Sequence, residues 1–473
     1  MTTVPPPPPS AAATAPPPPS AAPSPPGRPA VAPTTGSSGL GAPTQPVATA
    51  TGSGIRGRLE SFVASLRAAM AGTPGRLRAV GIVSVAAALL FGLAAGQAFR
   101  SADGALERAA ANADQLVRIQ AIQTNVVQAD ADATNAFLVG GLEPAAQRAD
   151  YTEAIATASG LIAQAAQHQP ADGNALSALN QSLIAYTSQV EQARANNRQA
   201  LPIGAQYLKS ASADLRADAL PLLTNLGEAN NARVTEEFDR AARAALWLDV
   251  VGLLALVVLA LALVWLARRT RRYVNLPLAT AALVVLVTMV VGTVGLLAVK
   301  SDVDTTREGV YAATRSTAQA RIAGFDAKSN ESLTLIARGS GAAFEKAWQA
   351  SSAAVTTEVA QLGQNPASSD RSPLPWSDYA AAHQKIRSLD DGGDWEGAVA
   401  LATGVDPGSG NTTFAAFDTG SDEQLSALSA QTAQQLGDTG GWLPFAGALG
   451  LLAGVIAALC AWWGVSMRLE EYR

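Results

Sequence analysis

Four long apolar runs, Ala79–Phe99, Leu246–Ala267, Pro277–Val299 and Trp442–Val465, constrain this chain more than any other feature. Each holds 21–24 residues, and a hydrocarbon core about 30 Å thick needs roughly 20 helical residues. Asp249, near one end of the second run, is the one acid or base within them. Backbone in lipid must satisfy its own hydrogen bonds, so runs of this length read as transmembrane helices. The expected fold class is an all-α integral membrane protein with four transmembrane helices, multi-pass in the cell membrane.

Arginines orient the map. Arg56, Arg58, Arg67, Arg76 and Arg78 precede the first run, Arg268, Arg269, Arg271 and Arg272 fill the short loop 268–276, and Arg468 and Arg473 follow the fourth. All three clusters fall on one side of a four-span chain, and the positive-inside rule makes that side, with both termini, cytoplasmic. The two large loops agree. Residues 100–245 carry 16 acids and 11 bases, and residues 300–441 carry 18 acids and 10 bases, so the loops hold −13 of a chain total of −5.

The first 54 residues contain 16 of the 27 prolines and a single charge, Arg28. Such a composition buries too little apolar surface to offset chain entropy, so residues 1–54 are expected to be a disordered cytoplasmic tail. The apolar run begins too late and is too long for a secretory signal peptide. Residues 55–78 space Ile55, Leu59, Phe62, Val63, Leu66 and Met70 between arginines, as in an amphipathic helix lying on the inner leaflet. Gly52-Ser-Gly54-Ile-Arg-Gly57 matches a dinucleotide fingerprint in letters only, since no strand precedes it.

The two outer blocks are helical by pattern. In residues 100–245, Leu176, Leu179, Leu183, Tyr186, Val190 and Ala193 step three and four apart, a heptad seam. Leu116, Ile119, Ile122, Val126, Ala133 and Phe137 form a second stripe, and Ile155, Ala158, Ile162 and Ala165 a third. Glycine and proline breaks at 140–144, 169–173 and 201–204 divide the block into four helices, the first and last continuous with the spans. Residues 300–441 repeat the plan. Ile322 and Phe325 open it, Phe344, Trp348, Val355, Val359 and Leu362 follow, then Tyr379, His383 and Ile386, then Leu425, Leu428, Thr432 and Leu436. Each block has a glycine turn about 40 residues past its span, with Tyr151 or Trp348 after it. The expectation is two extracytoplasmic antiparallel four-helix bundles arising by internal duplication.

Chemical motifs are scarce. His168 and His383 lie in different blocks with no ligand at metal spacing, and the single cysteine, Cys460, lies in the fourth span. No nucleophile elbow, P-loop or kinase motif occurs. No catalytic, cofactor-binding or metal residue, no cofactor and no nucleic-acid partner is therefore expected. Asp390-Asp-Gly-Gly-Asp394-Trp-Glu396 lacks EF-hand spacing and reads as a turn, with Asp394 capping a helix over 395–402. Gly92 and Gly96 in the first span and Gly447, Gly450 and Gly454 in the fourth permit close helix contact, within one chain or in a homodimer. The spans lack the polar lining of a transporter.

Two outer helical blocks tied to membrane helices, with little protein inside, suit a sensor without its own output domain. The segment Ala129-Asp-Ala-Asp-Ala-Thr-Asn-Ala-Phe-Leu-Val-Gly-Gly141, followed by Glu143 and Tyr151, resembles the four-helix-bundle sensor domains of chemoreceptors and histidine kinases. Residues 75–473 resemble the GlnX-like family of four-span actinobacterial membrane proteins. That likeness is carried by Asn196-Asn-Arg-Gln-Ala-Leu-Pro-Ile-Gly-Ala-Gln-Tyr-Leu208, by Asp390-Asp-Gly-Gly-Asp-Trp-Glu-Gly-Ala-Val399 and by Arg468-Leu-Glu-Glu-Tyr-Arg473.

The resemblance implies a non-enzymatic relay that passes an amino-acid signal from an extracytoplasmic solute-binding lipoprotein to a cytoplasmic Ser/Thr kinase. Output would then be read at Arg268, Arg269, Arg271 and Arg272, at the juxtamembrane helix, or at Arg468, Glu470, Glu471, Tyr472 and Arg473. The bases also face anionic membrane lipid, worth about 1 kcal/mol each near the surface. Two alternatives stand beside the relay: a chemosensor that binds its small molecule directly, and a non-signalling envelope scaffold.

Overall fold

A computed structural model describes residues 73–139, 143–270, 275–369 and 371–470. The Pro-rich tail, Arg56, Arg58, Arg67, Arg271, Arg272, Glu471, Tyr472 and Arg473 lie outside the described residues. Among the described residues there is no strand. The first half runs α1 (Thr73–Val139), α2 (Ala145–His168), α3 (Gly173–Arg198), α4 (Ile203–Asp214) and α5 (Leu220–Thr270). The second runs α6 (Leu276–Thr306), α7 (Ala312–Ile336), α8 (Ala342–Gln364), α9 (Trp376–Asp391), α10 (Trp395–Thr403), α11 (Gly410–Gly440) and α12 (Leu443–Glu470). Each half is thus long, short, short, long, and the second adds the short α10 at the place where the sequence expects a helix over 395–402.

The boundaries that hydropathy suggests at 78/79, 99/100 and 245/246 fall inside continuous helix. α1 alone spans 67 residues, from before the first apolar run to Val139. Four continuous helical stretches, 75–139, 203–269, 276–336 and 410–468, are long and apolar enough to cross a membrane, which fits a multi-pass membrane protein.

The four apolar stretches close on one another in a ring. α1 packs against α5 and α12, and α6 against the same two. The α1–α12 contact is the tightest: a Cβ added at Gly454 would lie 2.4 Å from the Cα of Gly92, so only glycine fits on either side. Met289 fills the space left by Gly252, and Leu248 that left by Gly292. Phe91, Phe99, Leu248, Val285 and Leu296 are buried between the helices. Leu90, Leu93, Leu254, Leu261, Val291 and Leu459 project outward and exposed, an apolar belt of the kind a bilayer covers.

One end of this ring collects the bases. A Cβ at Gly81 would sit 3.0 Å from Val465, which brings the start of α1 beside the end of α12. Asn275 caps α6 by accepting from Leu278 N, and its amide donates to Gly464 O at 2.7 Å. Arg76, Arg78, Arg268, Arg269 and Arg468 therefore share that end, and all but the half-buried Arg468 are exposed.

Beyond the ring, the heptad seam of α3 is buried at Leu176, Leu179, Leu183, Tyr186, Val190 and Ala193. It packs with Ile119, Ile122, Val126, Ala158 and Leu208 into the first-half core. Phe325, Trp348, Val355, Tyr379, Phe414 and Phe417 fill the second-half core, yet so do Val127 and Ala131 of α1. α1 thus serves both halves, with one stripe facing each. α7 lies between α1 and the second-half helices and is buried along most of its length, Thr314, Thr317, Ser329, Asn330 and Ser332 included. Small residues make that approach possible: Gly324 receives the edge of Phe417, and a Cβ there would lie 2.4 Å from its Cε1.

Candidate functional site

Burial of a polar helix demands partners for its polar groups, and on α7 they come from the other half. Asp130 on α1 is 1% exposed. It accepts from Ser212 Oγ at 2.5 Å, Ser329 Oγ at 2.6 Å, Arg216 Nη1 at 2.8 Å and Tyr186 OH at 3.3 Å. Arg216 continues across: its Nε donates to Asp326 Oδ1 at 3.0 Å and its Nη2 to Ser329 Oγ at 3.1 Å. Asp326 accepts further from Ser351 Oγ at 2.6 Å and Asn330 Nδ2 at 3.1 Å. Burial works against the guanidinium charge, but Asp130 and Asp326 outweigh it and hold the Arg216 pKa well above its usual value. Burial and the adjacent Asp130 carboxylate push the Tyr186 hydroxyl far up, so it stays protonated and donating.

Local sequence explains where Arg216 sits. Pro221 has no N–H to give to the carbonyl four residues back, and its ring crowds that carbonyl. The helix answers by widening into a π-helical turn, Leu215–Ala219, whose second residue is Arg216. Single π turns inside α-helices are frequent at functional positions. The helix leaving the third span has one too, Arg307–Tyr311, with Gly309 off helical geometry at φ −90° and ψ −106°. Asn365 donates to the carbonyls of Glu308 and Gly309, and Tyr311 OH donates to Asn231 Oδ1 at 2.9 Å. Each half therefore reaches into the other from a π turn.

A second buried cluster lies within the second half. His383, 1% exposed, faces Glu331 from Nδ1 at 2.8 Å and Glu345 from Nε2 at 3.2 Å, and stacks on Trp348 with centroids 3.6 Å apart. Lys328 donates to the other oxygen of Glu331 at 2.8 Å. Burial disfavours the imidazolium, but the two carboxylates prevail and raise the His383 pKa. The spacing of His383 in sequence gives no hint of this; its partners are 52 and 38 residues away. His168, by contrast, is exposed on α2. The first half places Tyr151 where the second has Trp348, covered by the Arg194 guanidinium at 4.0 Å. Arg194 is tied to Glu143 at 2.8 Å.

The sequence comparison singles out the half that holds Asp130 and Arg216. Residues 105–239 match the family model described as an actinobacterial sensor domain. The match runs from α1 into α5 and takes in Asp130, Tyr186, Ser212 and Arg216, and it supports an actinobacterial sensor protein. No curated protein matches the chain. No solved structure matches it either.

The residues expected to meet a cytoplasmic partner stand apart from this junction. Arg268 and Arg269 are exposed in the last turn of α5, and Arg468 is in the last turn of α12. Glu470 ends α12. The sensor-domain junction itself was only partly signalled: Asp130 falls in the Ala129–Gly141 segment, while Arg216, Asp326 and Ser329 interrupt no stripe and stand out in no motif.

Proposed function

We propose that this protein is a non-enzymatic transmembrane signal transducer. In this reading it relays an extracytoplasmic amino-acid signal from a solute-binding lipoprotein to a cytoplasmic Ser/Thr kinase, with both termini and the 268–276 loop in the cytoplasm. One observation carries the reading. The Asp130–Arg216–Asp326 bridge ties α1 to α7, and both helices, like the one bearing Arg216, run toward apolar stretches long enough to span a bilayer. A shift at the junction displaces those stretches relative to one another, and small shifts of packed helices are an established switching mode. The sensor-domain match over 105–239 supports a sensing role for the first half.

The experiment is affinity purification of the full chain from native membranes, with and without Leu469–Arg473. The reading expects an outer lipoprotein with both chains, and a Ser/Thr kinase that is lost with the truncation. Recovery of neither partner overturns the relay. A direct chemosensor is the second reading, favoured by a cleft in the second half.

A further inference from the structure

We propose that a cleft between the α7–α8 and α9–α10 turns binds a free amino acid directly, by opposed charges on its two walls. The cleft has a volume of about 640 Å³, within the roughly 300–1,000 Å³ range of small-molecule sites. The corresponding place in the first half, beside Glu143 and Arg194, holds only about 230 Å³. The two halves share a plan, and among the described residues the second has the larger space at this place.

One wall carries two cations beside Glu345, whose carboxylate is taken up by His383 and Arg387. Lys346 is exposed on α8 and has no ion-pair partner among the described residues. Arg338 stands at the end of α7, in the turn. The start of α8 lies between them: Gly341 supplies no side-chain cap, so the first amides, Ala342 N and Ala343 N, have no acceptor among the described residues. Helix-start amides and two cations together suit a carboxylate. The turn is held close, since a Cβ at Gly341 would meet Thr334 O at 2.7 Å.

The other wall is negative. Asp390 and Asp391 end α9 and face the cleft with Arg387, which bonds both of them and also Glu345. Asp391 keeps a 69% exposed side chain and spare lone pairs for an ammonium group. Trp395 lines the cleft beside them, with its Nε1 donating to Leu335 O at 2.9 Å. The arrangement selects a small zwitterion, its carboxylate on the α8 side and its ammonium on the α9 side.

Arg338 shows further signs of a working position. It has φ +40°, in the left-handed region that non-glycine residues seldom enter and that is strained for them. Its guanidinium lies 3.9 Å from the centre of the Trp395 ring. The same two residues also wall a second cavity, of about 470 Å³, whose far side is Phe137, Leu138 and Leu201 of the first half. A ligand that draws Arg338 toward its carboxylate unstacks it from Trp395 and alters the contact between halves.

The site does not depend on the relay, and the test excludes relay partners. Purified full-length protein in lipid nanodiscs, free of lipoprotein and kinase, is titrated calorimetrically with each free L-amino acid. At least one should bind saturably, and its carboxamide and its deaminated acid should each bind at least roughly tenfold more weakly. Lys346→Gln, Asp391→Asn and Arg338→Gly should each weaken binding by a similar factor. Arg338→Gly is the decisive variant, since glycine accepts φ +40° and the melting temperature should hold or rise while affinity falls. Absence of binding by every amino acid overturns the proposal. So do equal binding of the carboxamide, equal binding of the deaminated acid, and unchanged affinity in Arg338→Gly and Lys346→Gln.

Discussion

Arg216 and Asp326 lie 110 residues apart in different halves of the chain, yet the guanidinium of one contacts the carboxylate of the other through both Nε and Nη2, at 3.0 and 2.8 Å. With Asp130 on its far side, Arg216 is shared by α1 and α7. Removing it leaves Asp130, 1% exposed, with an uncompensated charge. Arg216→Ala should therefore destabilise the folded protein by about 3 kcal/mol, the lower end for a broken buried pair because Arg216 keeps some solvent contact. Asp130→Asn added to it should recover part of the loss. Denaturant unfolding followed by circular dichroism measures both. Equal losses in the single and double variants would remove Asp130 as the group Arg216 neutralises.

The His383 cluster predicts a pH window. Burial alone would raise the Glu331 pKa, but Lys328 and His383 hold it at about 2, below the ordinary 4.5. Its stabilisation is complete above 4.5 and is lost as pH falls toward 2. Hydrogen bonds from His383, helped by Arg387, likewise lower Glu345. The His383 pKa lies above 6.5, so its contribution is complete below 6.5 and is lost as pH rises through the folded value. Stability from this cluster should peak between 4.5 and 6.5. In His383→Gln the alkaline decline should disappear from thermal melts taken at pH 6.5 and above.

Asp132 predicts a stabilising substitution. Burial first, then Asp150 and Asp418, raise its pKa to about 8 from an ordinary 3.8, with Arg194 opposing. Its Oδ2 has no hydrogen-bond partner among the described residues. The folded state keeps a proton that the unfolded state releases, so stability falls as pH climbs from 3.8 toward 8. Asp132→Asn should melt higher than the parent at neutral pH and equal it near pH 3.8, by differential scanning calorimetry.

Gly454→Val tests the α1–α12 contact. Even a single Cβ there meets the Gly92 backbone at 2.4 Å, where no side chain can yield. Overpacking of this kind costs about 1–3 kcal/mol, and the spans should separate. A cysteine pair placed at nearby facing positions should cross-link in the parent and lose most of its yield in the variant.

Helical continuity predicts mechanical coupling. α1 passes through Ser101 without a break. Four glycines inserted after Ser101 weaken the helix there, at about 1 kcal/mol per position relative to alanine. If the protein is the relay proposed above, the helical core beyond the insertion should still form and still dock the lipoprotein, while the cytoplasmic response falls to background. A normal response would make the outer helices a docking post alone.

Much of this architecture is legible from short-range pattern. Apolar runs of span length specify the four helices long and apolar enough to cross a membrane, because lipid penalises every unsatisfied backbone group alike and needs no particular partner. The three- and four-residue steps of Leu176–Ala193 specify the buried face of α3, and Asp394 caps α10 by accepting from Gly397 N at 2.9 Å as its position suggests. Gly92 and Gly454 announce a close contact.

Tertiary structure alone decided what α7 does. Its sequence, rich in Thr, Ser and charge, has the composition of a solvated helix, and no stripe predicts burial on both faces. It is buried because α1, a π turn and α8 bring Asp130, Arg216 and Ser351 to its polar atoms. Likewise His383 has its pKa raised by glutamates on two other helices. Helical periodicity records which residues face inward, since that depends on near neighbours along one helix. It records nothing about which polar group across 199 residues, as between Ser329 and Asp130, will satisfy another. That pairing exists only once the helices are packed.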